Sequence, residues 1–385
     1  MQGKFLIAIG GLAMLVACHG AGSPGSPASG AAQASAGAEN AVPFAITEVA
    51  SFDEPWAMCF LPDGRLLVTE KKGHLKLLQP GSTALEVTGV PVVDYGGQGG
   101  LGDVIAHPDF ASNQLLFLSF VEKGEGDTRG AAVARARLQF DAAGAASLSD
   151  LTVIWRQQPK KQGNGHFSHR IRFGPDHKLW ITSGERQAFD PAQDMGSNLG
   201  KVIRLNEDGS IPADNPFADR DGAGAQAWTL GHRNMLGFAF DAAGRPWVAE
   251  MGPAGGDELN LIVRGRNYGW PRVSNGNNYD GSDIPDHPTA AQFEAPKISW
   301  TPVIAPSSLL FYSGAQFPDW QGDALIGGLA SQALVRVEFD GDQAHEAARY
   351  PMDKRIREVE QGPSGDIWLL EDGSGGRLLK LTPPR

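Results

Sequence analysis

GNGHFSHRIRFGPDHKLWITSGE, Gly163 to Glu185, is the stretch whose reading decides the fold. A Gly-rich polar loop holding His166 runs into a strand-like alternation, turns at Pro175–Asp176, and re-enters an apolar run that ends on an acid. Its second half recurs as LPDGRLLVTE (Leu61–Glu70), DAAGRPWVAEMG (Asp241–Gly252) and GPSGDIWLLEDG (Gly362–Gly373). Each copy has a turn built from Pro, Asp or Gly, then a short run with β-branched or aromatic residues. Two weaker copies are HPDFASNQLLFLSF (His107–Phe120) and FPDWQGDALIGGL (Phe317–Leu329). The six begin near Pro62, Pro108, Pro175, Ala242, Pro318 and Pro363, roughly 45 to 75 residues apart, the range of a four-stranded propeller blade with insertions. Strands this short and turn-rich suit radial closure better than an open solenoid. The expectation is an all-β, six-bladed β-propeller over residues 44–385. Ligands should then meet loops from several blades at one end of the central channel.

Fifty glycines and 26 prolines in 385 residues agree with many short strands joined by turns. The net charge of −11 and the lack of a basic block exclude a nucleic-acid partner. An anionic ligand would need a local basic pocket set against this acidic average. The N-terminus reads differently. Lys4 precedes an apolar run from Phe5 to Val16, too short for a permanent membrane span. LVAC then places small residues directly before Cys18, the pattern of a bacterial lipoprotein signal. Residues 1–17 are expected to be a signal peptide and Cys18 the lipidated mature terminus. Residues 18–43, nearly all Ala, Gly, Ser and Pro, are expected to be a disordered tether. The body would then sit on the periplasmic side, held to the outer membrane by its lipid alone. Cys59, between Met58 and Phe60, reads as apolar packing.

Four inter-repeat segments concentrate groups that can do chemistry. DYGGQGGLGD (Asp94–Asp103) holds Gln98 between glycine pairs, where backbone can approach a ligand and the amide both donates and accepts. His166 is suited to taking a proton from a hydroxyl. His169 lies three residues on, but no third ligand follows with zinc-type spacing. LGHRNMLGFAF (Leu230–Phe240) presents Arg233 and Asn234, a guanidinium and an amide able to hold a carboxylate or a developing oxyanion. EMGPAGGDELNLI, from Glu250, adds carbonyl-rich backbone beside Asp257 and Glu258, oxygen donors of the kind a hard cation prefers. Finally, Arg355 and Arg357 alternate on one strand and share a face.

In this order, GQGGLGD, GHFSHRIRFGPDHKLWITSGE, LGKVIRLNEDGSIPADNPF, LGHRN, EMGPAGGDELNLI, NYGWP, APSS and RIR resemble the PQQ-dependent soluble aldose (glucose) dehydrogenase family. The resemblance implies a six-bladed propeller that binds pyrroloquinoline quinone (PQQ) and calcium, oxidises aldose sugars at the anomeric carbon, and passes electrons to an external quinone, cytochrome or dye. It implies that His166 is the general base and that Arg233 stabilises charge on the cofactor. Gln98, Arg233, Asn234, Trp300, Ala330, Ser331, Arg355 and Arg357 would contact the cofactor, Trp300 lying against the flat quinone or the sugar. Gln98 and Gln193 would touch substrate. Gly252 and Pro253 carbonyls would bind the cofactor's calcium, and Glu258 with Tyr268 a further calcium ion. Gly165 stands where glucose-oxidising members carry an Asp before the histidine, and Ala330 and Ser331 stand where they carry a basic residue. Both departures point to the aldose branch of broader specificity. A calcium lactonase propeller or a non-catalytic binding propeller are the rival readings. The first would need several acidic or Asn side chains on one ion, and the second would have no use for His166 or Arg233.

Overall fold

The computed structural model describes residues 42–79 and 81–384. Cys18 and the expected signal and tether up to residue 41 lie outside them. Among the described residues, 24 strands form six four-stranded antiparallel blades arranged in a ring, a six-bladed β-propeller. The six repeats found in the sequence are the turns between the first and second strands of the six blades. The innermost strands are Pro55–Phe60, Leu101–Ala106, Ser168–Phe173, Met235–Phe240, Pro306–Phe311 and Ile356–Gln361, for blades 1 to 6. Each packs against the next, and the sixth packs back on the first.

Two devices hold the ring together. Ala45–Asp53 pairs antiparallel with Ser374–Thr382, so blade 6 is built from both ends of the chain. Apolar side chains fill every joint. Six buried clusters each join a pair of neighbouring blades, for example Leu67, Leu77 and Val104 between blades 1 and 2, and Trp180, Val248 and Phe238 between blades 3 and 4. Cys59 packs, half-buried, against the first of these clusters, and burial pushes its thiol up to about 12. Blades 1 and 2 also share a short parallel pairing of their outer strands, Val87 with Ala146.

All six inner strands break register at the same place, near their first residues, between Pro55/Ala57, Leu101/Val104, Ser168/Ile171, Met235/Gly237, Pro306/Ser308 and Ile356/Glu358. A bulge re-aims the extra residue out of the alternation. Trp56, His169, Leu236 and Arg357, skipped by these breaks, all line the floor of one cavity at the end of the ring. Below them a buried ionic plug crosses the channel. Arg170 donates to Glu358 at 2.5 Å, to the Ser307 carbonyl at 2.8 Å and to the Leu236 carbonyl at 2.9 Å, and its guanidinium lies 4.3 Å from the Trp56 ring centroid. The cavity is therefore a cup, closed beneath by fixed charge.

Candidate active site

The cup has a volume of about 460 Å³. That is ample for a flat tricyclic ligand or a sugar. Its floor carries Trp56 and His169 stacked at 5.0 Å with 14° between planes. Burial, with Arg170 and Arg186 nearby, pushes His169 down to about 3, so this ring is neutral at ordinary pH. His169 Nδ1 is engaged by Ser119 Oγ at 2.8 Å and His166 Nδ1 by Glu185. The two histidines serve different partners. Among the described residues no group of three or more His, Cys, Asp or Glu is gathered as a metal site.

His166 sits at φ 50°, in left-handed backbone two residues ahead of the strand Ser168–Phe173. Its amide donates to Gln98 Oε1 at 2.8 Å, and the Gln98 amide donates to the Asn164 carbonyl at 2.8 Å. Gln98 thus fixes the histidine loop while its own side chain lines the cup. Nδ1–H of His166 donates to Glu185 Oε1, which leaves Nε2 as the free acceptor. The other oxygen of Glu185 accepts the Phe189 amide at 2.7 Å, and the Glu185 amide donates to the Arg233 carbonyl at 3.0 Å. Burial holds His166 below its ordinary value, assisted by Arg233 and Arg186 and opposed by Glu185. The outcome is a neutral imidazole, oriented by a carboxylate, with one nitrogen ready for a proton.

Arg233 is 5% exposed and has no carboxylate partner among the described residues. It donates to the Met251 carbonyl and the Tyr279 hydroxyl, each at 3.1 Å, and its Nε is buried with no partner. A buried charge left uncompensated is costly, so a site of this kind is built to receive an anion. Asn234 is fully buried; its Oδ1 accepts from Ser168 Oγ at 3.2 Å, and Met251 accepts its amide N–H at sulfur. Across the cup, Arg355 and Arg357 both donate to Asp372, at 2.8 Å and 2.7–2.8 Å, and Lys71 lies nearby. Three cations thus face two carboxylates, Asp372 and Glu54, with Arg233 adjoining.

Several expected residues sit elsewhere. Trp300 does not face the cup. It ends the outermost strand of blade 4, pairs with Asp257, and packs between blades 4 and 5 with Trp247, Leu309 and Val337. Its indole N–H donates to Glu346 at 2.7 Å, so its polar handle is also spent inside the body. Gln193 is used structurally, donating to Asn267 at 3.0 Å and to the Trp270 carbonyl at 2.7 Å while accepting from Asn267 at 2.7 Å. A sugar contact would require breaking that lock. Ala330 and Ser331 are outside the cup wall, which their neighbour Leu329 forms; both amides donate to the Ile304 carbonyl, and Ser331 Oγ is buried without a partner.

The oxygen donors lie in a second, smaller cavity of about 10 Å³ lined by Gly252, Glu250, Glu258 and Tyr268, with Arg233 in its wall. That is room for one water-sized body. The Tyr268 hydroxyl is consumed, donating to the Leu261 carbonyl at 2.5 Å and accepting the Val263 amide at 2.9 Å, so only its main-chain oxygen remains to offer. Glu258 accepts from Asn260 at 3.0 Å and lies 3.2 Å from His287 Nε2, while Asn260 Oδ1 is buried with no donor. A side chain at Gly252 would strike the Gly255 and Gly256 carbonyl oxygens, at 2.3 and 2.4 Å from its Cβ. Asp257 ties this loop to the cup by accepting the amides of Gly252, Ile304 and Ala305. Pro253 is buried but lines neither cavity. The carboxylates of Glu250 and Glu258 and the carbonyls of the loop around an ion-sized space are the oxygen donors that a hard cation prefers.

Glu185, Lys71, Trp56 and Asp372 were not singled out from the sequence. One signal for Glu185 was present: an acid ends the second strand in three repeats, at Glu70, Glu250 and Glu371, and blade 3, whose strand ends at Ser183, carries its acid two residues further on. Glu250 does for the next blade what Glu185 does here, accepting from His232 Nδ1 at 2.8 Å and from the Arg233 amide at 2.8 Å.

A closed propeller with a cationic cup, and beside it an imidazole oriented by a carboxylate and an oxygen-lined pocket, is the arrangement of a propeller enzyme with its site at one end of the channel. Residues 52–380 match the family model for glucose/sorbosone dehydrogenase, and the chain belongs to that family. It is 39% identical over 338 residues to aldose sugar dehydrogenase YliI of Escherichia coli, covering 86% of this chain and 90% of that protein. Identity to quinoprotein glucose dehydrogenase B of Acinetobacter calcoaceticus is 26% over 427 residues, covering 86% of each. The crystal structure of the soluble E. coli aldose sugar dehydrogenase in its apo-form superposes with a TM-score of 0.83 at 37% identity, over 89% of this chain and all of that one. The PQQ-bound aldose sugar dehydrogenase of Streptomyces coelicolor superposes at 0.68 and 25% identity, over 88% and 98%. The protein is an oxidoreductase acting on sugars.

Proposed function

We propose that this chain oxidises aldose sugars at the anomeric carbon to the lactone, using PQQ and calcium, and delivers the electrons to an external acceptor. The observation that carries the reading is the Glu185–His166 pair, joined by main chain to the buried Arg233, which has no carboxylate partner among the described residues and lines the small cavity beside a cup that holds Arg355, Arg357 and Lys71. PQQ is planar and bears three carboxylates, and the residues present suit it. Arg355, Arg357 and Lys71 answer the carboxylates, Gln98 offers an amide, and the cup is floored by stacked rings. Calcium would be held in the small cavity beside the cup, where the Glu258 carboxylate and the main-chain oxygens of Gly252 and Tyr268 surround room for one ion; Pro253 lines neither cavity. Bound there, the quinone would supply the two-electron acceptor and the cation a Lewis acid.

The protein's own part follows from geometry. Glu185 fixes the imidazole tautomer, and His166 Nε2 accepts the proton of the anomeric hydroxyl. Arg233 offers a fixed positive charge where negative charge develops, without reorganising at the moment of reaction. The sugar loses two electrons and two protons overall, from its anomeric C–H and O–H, and gains the C=O of a lactone. Family membership sets this reading above the lactonase and the non-catalytic propeller.

Reconstitution tests it. Apo-protein mixed with PQQ and calcium should reduce a redox dye with glucose or another aldose, and should not do so when either is withheld. Lactone hydrolysis without PQQ would point to the lactonase instead. The location is part of the same proposal, resting on Lys4 to Cys18 alone. In a Gram-negative host, Cys18→Ala should move the protein from the outer-membrane fraction to a soluble or uncleaved form. Unchanged membrane retention would refute the lipid anchor.

A further inference from the structure

Arg186 follows Glu185 directly and is 3% exposed, yet it pairs with no carboxylate among the described residues. Its guanidinium is spent on main chain. Nε donates to the Gly165 carbonyl at 2.9 Å, Nη2 to the Gly163 carbonyl at 2.6 Å and Nη1 to the Arg129 carbonyl at 2.5 Å. Its own amide donates to the His166 carbonyl at 3.2 Å, and its charge lies 3.8 Å from the Phe167 ring centroid. Four of these five contacts fall on Gly163–Phe167, the segment that presents His166. That segment lies ahead of the first strand of blade 3, Ser168–Phe173, so its carbonyls must find partners outside a sheet ladder. His166, Ser168 and His169 have φ of 50°, 57° and 56°, and Arg186 itself has 63°. Arg129, whose carbonyl completes the set, is tied through its side chain to Asp94 at 2.7 Å, on the loop that carries Gln98.

We propose that Arg186 is a positioning residue for the general base: it clamps the Gly163–His166 loop by its carbonyls and sets a permanent positive charge behind the imidazole. The inference rests on the reading of His166 as the base. The charged groups facing His166 are Glu185, Arg233 and Arg186, from the loops of blades 3 and 4, together with the neutral amide of Gln98. Glu185 favours the protonated ring and the two arginines oppose it. Removing the Arg186 charge therefore raises the pH at which the base form is lost.

The test uses the PQQ- and calcium-loaded enzyme with Arg186→Lys and Arg186→Gln, reading kcat, KM, the pH profile of kcat/KM and PQQ affinity by dialysis. Both variants lose the forked grip on Gly163 and Gly165, so both should lose kcat by roughly 10²-fold, the scale of a small misplacement of a reacting group. KM and PQQ affinity should stay within about threefold. The acid limb should move to higher pH in Arg186→Gln and stay in place in Arg186→Lys, which keeps the charge. A residue that merely supports the fold would lower PQQ affinity in step with kcat and leave the limb unmoved in both; that pattern overturns the proposal. Should Arg186→Gln fail to fold, titration of the His166 ring by NMR in Arg186→Lys and wild type decides, since matched midpoints with lowered kcat are required. A wild-type enzyme with no acid limb at all would instead sink the reading of His166.

Discussion

His166→Ala should lower kcat for aldose oxidation by about 10²–10⁴-fold, the usual contribution of a positioned general base, while PQQ still binds the apo-protein. The side chain touches Glu185 and is buried behind the cup wall that Phe167, Ser168 and His169 form, whereas the cations that answer a tricarboxylate, Arg355, Arg357 and Lys71, come from other blades and are undisturbed by its loss. Single-turnover dye reduction and a separate PQQ-binding titration measure the two effects apart. Full turnover in the variant, or loss of binding with normal turnover of the bound fraction, would refute the role. The pH profile carries a further expectation. Burial, Arg233 and Arg186 hold His166 below its ordinary value, so the neutral, proton-accepting form survives into more acidic solution than a free histidine would allow. The acid limb of kcat/KM should lie below pH ~6.5, the value of an unperturbed imidazole. Glu185→Gln removes the group that opposes this shift and should move the limb lower still, with kcat falling because the tautomer is no longer fixed.

The second large effect pulls activity and stability in opposite directions. Arg233→Met should reduce kcat by about 10²–10³-fold, the range for losing one preorganised charge-stabilising donor. The same change should leave the apo-protein as stable as wild type or more so, by about 1–2 kcal/mol, because a buried guanidinium without a counter-charge is replaced by apolar volume. Thermal unfolding of both proteins, with and without PQQ and calcium, measures it. Wild type should gain markedly on loading and the variant should gain less. If instead the variant apo-protein melts well below wild type, Arg233 belongs to the scaffold, held by Met251 and Tyr279 for packing. An opposite sign of the two effects is the signature of a site strained to receive a ligand.

Much of this could be anticipated because it is local. Turn chemistry, alternation and spacing each depend on residues within a dozen positions, and they sufficed for six blades and for the loops that carry Gln98, His166, Arg233, Arg355 and Arg357. What escaped was long-range or a matter of parity. Trp300, in SWTPVIAPSS, is expected at the cofactor from the family resemblance alone. The register of its three-residue strand turns it inward, between blades 4 and 5. Gln193 reads as a free polar group until the loop bearing Asn267, 74 residues away, closes on it.

By itself, then, the sequence determined the architecture and the inventory of reactive groups, since turns, strand faces and residue chemistry are written in neighbouring positions. Only the tertiary structure decided which groups meet. The matching bulges that swing Trp56, His169, Leu236 and Arg357 to the axis arise from pairing between strands. The bonds of Glu185 to His166 and of Arg186 to the Gly163–Gly165 carbonyls cross a hairpin. Such contacts exist only once the strands have paired, because their geometry depends on register and on where each bulge falls, and neither follows from the identity of any single residue.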